Sequence, residues 1–169
     1  GRGGAPAAAA AAPANPPAVS EKLGDGVYLI TGGYAVIAID FKEYIALVEC
    51  GQNEPRALSV IAEAKRLIPN KPIKYLINTH SHFDHSSGLR AFVAEGTTII
   101  THQVNKAYLE KVLSLPHTLV PDRAQAAEKK PIVEAMGEKK VLTDGTHLLE
   151  LYHLQNFGHH DGMIVAYFP

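Results

Sequence analysis

Beyond residue 20 the apolar residues gather into short β-type runs at positions 27–30, 34–39 and 44–48. Gly32 and Gly33 separate the first two runs as a hairpin turn would, and residues 40–43 supply a second turn. The pattern predicts an antiparallel meander. The spacing then changes. Leu58, Ile61, Ala62 and Ile68 recur at helical intervals and predict a helix over 54–68. Asn53 caps it, Pro55 sits in its first turn, and Pro69–Asn70 ends it. A buried strand is expected at 73–78, then a short helix at 88–94, a strand at 97–101 and a helix at 104–112. Residues 114–138 are polar and broken by Pro116, Pro121 and Pro131, which predicts a loop with at most one short helix. Strands at 140–142, 147–153 and 163–168 close the chain. Helices alternating with strands after a meander predict an α/β domain of α+β layered type. No internal repeat is visible.

Residues 1–20 depart from this pattern. They are rich in Ala, Pro and Gly, with an all-alanine run at 7–12 between Pro6 and Pro13. Too few large apolar side chains are present to offset the entropy of ordering, so a disordered tail is expected, with the folded domain over 21–169. Such a tail reads either as a linker or as the segment that remains after an export signal is removed. Composition adds limits rather than a function. With 169 residues, 46% hydrophobic and 20% charged, the chain suits one globular domain with a real core. Sixteen basic and 17 acidic residues leave a net charge of -1 and no basic cluster, which argues against nucleic acid or an anionic membrane as partner. No apolar run approaches the roughly 20 residues of a membrane helix. The lone Cys50 excludes an internal disulfide and an all-thiolate metal cage. A periplasmic or secreted location is expected from the tail, with a cytoplasmic one as the alternative.

The chemistry concentrates in Thr79-His80-Ser81-His82-Phe83-Asp84-His85, directly after the buried strand. In extended chain, side chains at i and i+2 point the same way, so His80 and His82 are placed to grip one ion. Asp84 and His85 lie where the chain must turn, within reach of a second position. Imidazole and carboxylate without thiolate suit zinc, and also iron or manganese. From the chain's composition, His-x-His-x-Asp-His is expected on the order of once in a thousand such sequences, so the motif is specific.

From residue 21 onward the chain resembles the metallo-β-lactamase superfamily. The meander, the helix, the strand leading into Asn78-Thr79-His80 and the downstream Gly158-His159 carry the resemblance. It implies an αββα sandwich with the metals at one edge between the sheets. It implies a first metal held by His80, His82 and His159, and a second by Asp84 and His85. His159 is favoured over His160 because it follows Gly158. Asp161 reads equally as a residue orienting a ligand and as a turn residue before Gly162. His102, His117, His147 and His153 lie outside any ligand spacing and read as surface or packing residues, with His153 the nearest exception. Cys50 follows Glu49, where the family often has an acidic residue and a turn, and reads as structural.

Relatives normally continue past the strand that follows His159, so a chain incomplete at its C-terminus is expected, stabilised by association into a homo-oligomer. The resemblance implies a hydrolase using one or two zinc ions, with Asp84 binding metal and orienting the hydroxide that attacks a small-molecule substrate such as a β-lactam, lactone or thioester. A non-haem iron oxygenase on the same fold and a metal-binding module without turnover are the alternatives.

Overall fold

Period-two burial builds the central layer. The computed structural model describes residues 15–169, and the first 14 residues of the tail expected over 1–20 lie outside the described residues. Strands β1 (Val19–Gly24), β2 (Val27–Thr31), β3 (Val36–Asp40) and β4 (Ile45–Val48) pair in sequence as an antiparallel meander. Strands β5 (Ile73–Ile77), β6 (Thr98–His102) and β7 (Ile132–Met136) extend the same sheet in parallel, giving the order β1 to β7. A second, antiparallel sheet holds β8 (Lys139–Thr143), β9 (Leu148–His153) and β10 (Ile164–Tyr167) in the order β10-β9-β8. The helices are α1 (Glu54–Leu67), α2 (Phe83–Ser86), α3 (Leu89–Glu95), α4 (Gln103–Leu113) and α5 (Arg123–Ala127).

Alternate side chains of the large sheet face two different cores. Ile45, Leu47, Leu76 and Ile99 meet Val60 and Ala64 of α1, Phe92 of α3 and Leu109 of α4. Ala46, Ile77 and Ile100 point the other way, onto Leu149, Leu151 and Ile164 of the small sheet. The strands read as continuous apolar runs because both faces are covered. The described residues therefore stack as helices, sheet and sheet. Among them, no helix is long and apolar enough to cross a membrane.

Local signals explain the joints. The Asn53 side chain accepts the Arg56 N–H at 2.9 Å and caps α1. Arg56 is fully buried and donates to the carbonyls of Ile30 and Tyr34, pinning the β2–β3 hairpin to the helix. That hairpin turns through Gly32 at φ 100, where a Cβ would stand 2.2 Å from the Pro17 carbonyl oxygen.

Two strands correct the sequence reading. β1 takes in Val19 and Ser20, so ordered structure begins ahead of the expected boundary at residue 21. β7 lies inside the stretch expected to be loop. Pro131 precedes β7 rather than breaking it, and the run is brief, with only Val133 and Met136 buried. Both are edge strands of the large sheet, formed because a neighbouring strand supplies hydrogen-bonding partners. The short helix expected in the same stretch is α5.

Candidate metal centre

The parallel strands deliver the site. In open α/β sheets the loops beyond the carboxyl ends of the strands form the crevice where ligands bind. β5 ends at Ile77, and buried Asn78 follows. Its side-chain amide donates to the carbonyls of His80 and His85, each at 2.8 Å, and so closes the motif into a tight loop. The Ser86 hydroxyl adds a bond to the His82 carbonyl at 2.9 Å. Gly88 lets this loop lie against the one after β4, since a Cβ there would stand 2.7 Å from the Cys50 carbonyl oxygen.

Within this frame the structure brings His80, His82 and His159 together, one ring nitrogen of each within 4.8 Å of the others. His159 Nε2 lies 3.1 Å from His80 Nε2 and 3.2 Å from His82 Nδ1. Imidazoles around a tetrahedral ion, each at about 2.0–2.1 Å, hold their nitrogens about 3.3 Å apart, so the donor set fits zinc. Each neutral ring carries one N–H. His80 has already committed its own. Its Nδ1–H donates to Thr79 Oγ1 at 3.0 Å, which leaves the Nε2 lone pair facing the other rings. Burial, reinforced by the surrounding imidazoles, pushes the His80 pKa down to about 4, so the ring is neutral above that pH.

Asp84 and His85 sit beside this group. Asp84 Oδ2 is 3.6 Å from His85 Nε2, and the His80 and His85 rings are 4.2 Å apart. The two donors face one another at a spacing that one ion can bridge. His85 Nδ1–H donates to Glu49 Oε2 at 3.0 Å. That bond raises the His85 pKa against the opposing effect of burial.

Glu49 is the functional residue that sequence reasoning passed over. Its second oxygen accepts the Thr79 N–H at 3.2 Å and the Thr79 hydroxyl, so one carboxylate orients His85 directly and His80 through Thr79. It does so from a left-handed backbone at φ 77, a conformation that costs a non-glycine residue about 1–2 kcal/mol. The residue visible in the sequence was an acid before a turn; its two contacts span about 30 residues or more of chain. Carboxylates that orient ligating histidines typically contribute about 10- to 100-fold in metal affinity. Glu49→Gln is therefore expected to weaken zinc binding by about that factor, read by competition with a chromogenic chelator, while thermal stability of the metal-free chain changes little.

The remaining candidates separate cleanly. His160 Nδ1 accepts the Gly162 N–H at 2.9 Å, and its Nε2–H donates to Ser81 Oγ at 3.0 Å. Both nitrogens are thus spent holding the 159–162 turn against the motif loop, whereas His159 faces the cluster. Asp161 uses its backbone carbonyl, which accepts from His153 Nε2 at 2.7 Å. His117 pairs with Asp122, and His147 bonds the Asp40 carbonyl. Cys50 is fully buried, its thiol donates to the His85 carbonyl at 3.2 Å, and burial pushes its pKa far up. It serves packing, not nucleophilic attack. His102 and His153, read as surface or packing residues, stack on each other at 3.8 Å.

Comparison with known proteins agrees with this architecture. Over 57 residues, 34% of this chain, it is 39% identical to a linear primary-alkylsulfatase of Pseudomonas sp. (strain ATCC 19151). Those residues make up 11% of that protein. The fold matches metallo-beta-lactamase SMB-1 bound to 2-mercaptoethanesulfonate with a TM-score of 0.68 at 20% identity, covering 92% of this chain and 60% of that one. It matches metallo-beta-lactamase FIM-1 from Pseudomonas aeruginosa, in its mono-zinc form, with a TM-score of 0.67 at 16% identity, covering 92% and 66%. The chain thus spans about three fifths to two thirds of the length of these structural relatives. The family model of the metallo-beta-lactamase superfamily matches residues 27–167, from β2 through β10, and includes every residue of the cluster. A model matched over nearly the whole described chain, on a fold whose loops gather these histidines, settles the family: the chain belongs to the metallo-beta-lactamase superfamily.

Proposed function

We propose that this chain carries the metal-binding part of a zinc-dependent hydrolase that acts on a carbonyl-type substrate such as a β-lactam, lactone or thioester. One observation carries the reading: three ring nitrogens from His80, His82 and His159 converge, His159 Nε2 lying 3.1 Å and 3.2 Å from the other two, close to the spacing of imidazoles around one tetrahedral ion. When bound, zinc supplies a Lewis acid that polarises the substrate and brings a water to deprotonation near neutral pH. The chain's own residues do the positioning. Asp84, beside His85, orients the attacking water by accepting a hydrogen bond from it. Glu49 and Thr79 fix the ring orientations of His85 and His80 before substrate arrives. The nucleophile is water, consistent with a sequence that offers no Gly-x-Ser-x-Gly elbow.

The names of the relatives widen the substrate panel. FIM-1 is described in a mono-zinc form, which supports zinc here. The alkylsulfatase adds sulfate esters to the classes worth testing. The test begins with elemental analysis of the purified chain. Hydrolysis of a β-lactam, a lactone, a thioester and an alkyl sulfate is then followed before and after chelation. Zinc in the protein, and turnover of one substrate that is lost with the chelator and restored by zinc, is the expected result. Iron as the dominant metal with oxygen consumption, or a zinc-loaded chain that turns over none of the panel, would overturn the hydrolase reading.

A further inference from the structure

We propose that His102, Glu138 and His153 form a second metal site, distinct from the histidine cluster, that takes one divalent transition ion such as zinc. The three residues come from different places in the fold. His102 ends β6, Glu138 sits in the turn between β7 and β8, and His153 ends β9. One donor atom of each lies within 4.8 Å of the others.

His153 carries the argument. Its Nε2 lies 2.7 Å from the Asp161 carbonyl oxygen, which only accepts, so this nitrogen bears the proton. In the neutral ring, Nδ1 then presents a lone pair to the Glu138 carboxylate, 3.2 Å from Oε1 and 3.4 Å from Oε2. Two acceptors held face to face require a cation between them, either a proton or a metal ion. An imidazole that donates one N–H to a backbone carbonyl and aims the other nitrogen at an ion is the usual arrangement of a ligating histidine. Glu138 is oriented in turn by Gln155 Nε2, which donates to its Oε2.

His102 supplies the independent observation. It is 2% exposed, and its buried Nε2 has no hydrogen-bond partner. Buried polar atoms are rarely left so. Its ring stacks on His153 with centroids 3.8 Å apart and planes inclined by 17°. Stacked rings hold their lone pairs in near-parallel planes, so coordination by both tilts one of them. His102 Nδ1 accepts the Val104 N–H at 3.4 Å, so in the neutral ring Nε2 carries the proton; ligation through Nε2 releases that proton or moves it to Nδ1 and gives up this long capping contact. A surface cavity lined by Glu138, His153, Gln155 and Asp161, among others, gives a hydrated ion a path inward. Two imidazoles and a carboxylate suit zinc and its first-row neighbours better than calcium or magnesium. The bond from His153 to the Asp161 carbonyl reaches the same turn that carries His159. An ion here is therefore structural and braces that turn.

The test removes the cluster first. The full chain with His82→Ala and His159→Ala is titrated with zinc against a chromogenic chelator. It is expected to keep about one tight equivalent, and adding Glu138→Gln and His153→Leu is expected to abolish it. Long-range proton–nitrogen NMR of the first variant should show zinc moving the ring nitrogens of His102 and His153. Zinc uptake unchanged by the added substitutions, no tight zinc in the first variant, or unmoved His102 and His153 nitrogens would each overturn the proposal. If His153→Leu fails to fold, Glu138→Gln alone, which alters an exposed side chain, and the NMR measurement decide. None of these readouts depends on hydrolysis, so the outcome is independent of the proposed activity.

Discussion

Zinc affinity at the histidine cluster is expected to fall about 100- to 1,000-fold in His159→Ala. Four protein ligands together hold structural zinc with roughly 10–16 kcal/mol, or about 3 kcal/mol for each. The geometry makes the loss direct, because His159 Nε2 lies within 3.2 Å of both His80 Nε2 and His82 Nδ1. The neighbouring imidazole does not replace it, since both nitrogens of His160 are already committed. His159 is exposed in a turn, so the metal-free variant should melt close to the parent chain. His160→Ala is the control. It loosens the turn by removing the bonds to Ser81 and Gly162 but keeps the ligand, and so costs less affinity. Competition titration of both variants checks this. Tight zinc retained by His159→Ala and lost by His160→Ala would reverse the assignment of the two histidines.

The second large effect concerns stability away from the histidine cluster. Asp122→Ala is expected to destabilise the chain by about 3 kcal/mol, which lowers the thermal midpoint by about 6–12 °C for a domain of this size. Asp122 accepts from Arg90 Nε and, at 2.9 Å, from its terminal nitrogen; both side chains are about nine-tenths buried. Arg90 also donates to the carbonyls of Leu113 and Leu115, so the pair joins α3, the end of α4 and the start of α5. Asp122 caps α5 as well, accepting the Gln125 N–H at 2.8 Å. The Arg90 bond holds the Asp122 carboxyl down at about 2, against an ordinary 3.8 and despite burial, which corresponds to about 2 kcal/mol. The Gln125 N–H of the cap contributes to the same depression, and the rest of the loss comes from leaving the buried Arg90 charge unpaired. This depression sets the sign of the pH dependence. With the folded pKa below the unfolded one, the stabilisation is complete above about pH 4 and is lost as pH falls from there towards 2. Urea midpoints measured across that window should fall more steeply in the parent than in Asp122→Ala. Parallel pH profiles would show that the pair contributes nothing.

The local elements were largely legible. The meander, the Asn53 cap, the helix expected over 54–68 and the buried strand before the motif obey short-range rules, because apolar period, capping and turn residues act within a few positions. The strands β1 and β7 were not legible. Their residues carry weak patterns of their own and become strands because β2 and β6 offer them unpaired backbone groups.

The same division runs through the site. By itself, the sequence determined that His80, His82, Asp84 and His85 would crowd one loop, since spacing along an extended chain dictates which side chains share a direction. Only the tertiary structure decided what meets that loop. It turned His159 toward the cluster and spent His160 on the loop backbone, although the two are adjacent in sequence. It brought Glu49 to both His85 and Thr79, and it stacked His102 on His153. These contacts join residues about 30 or more positions apart or depend on which way a ring faces. Both properties are set by how two sheets and a helical layer pack, and no local pattern of residues encodes them.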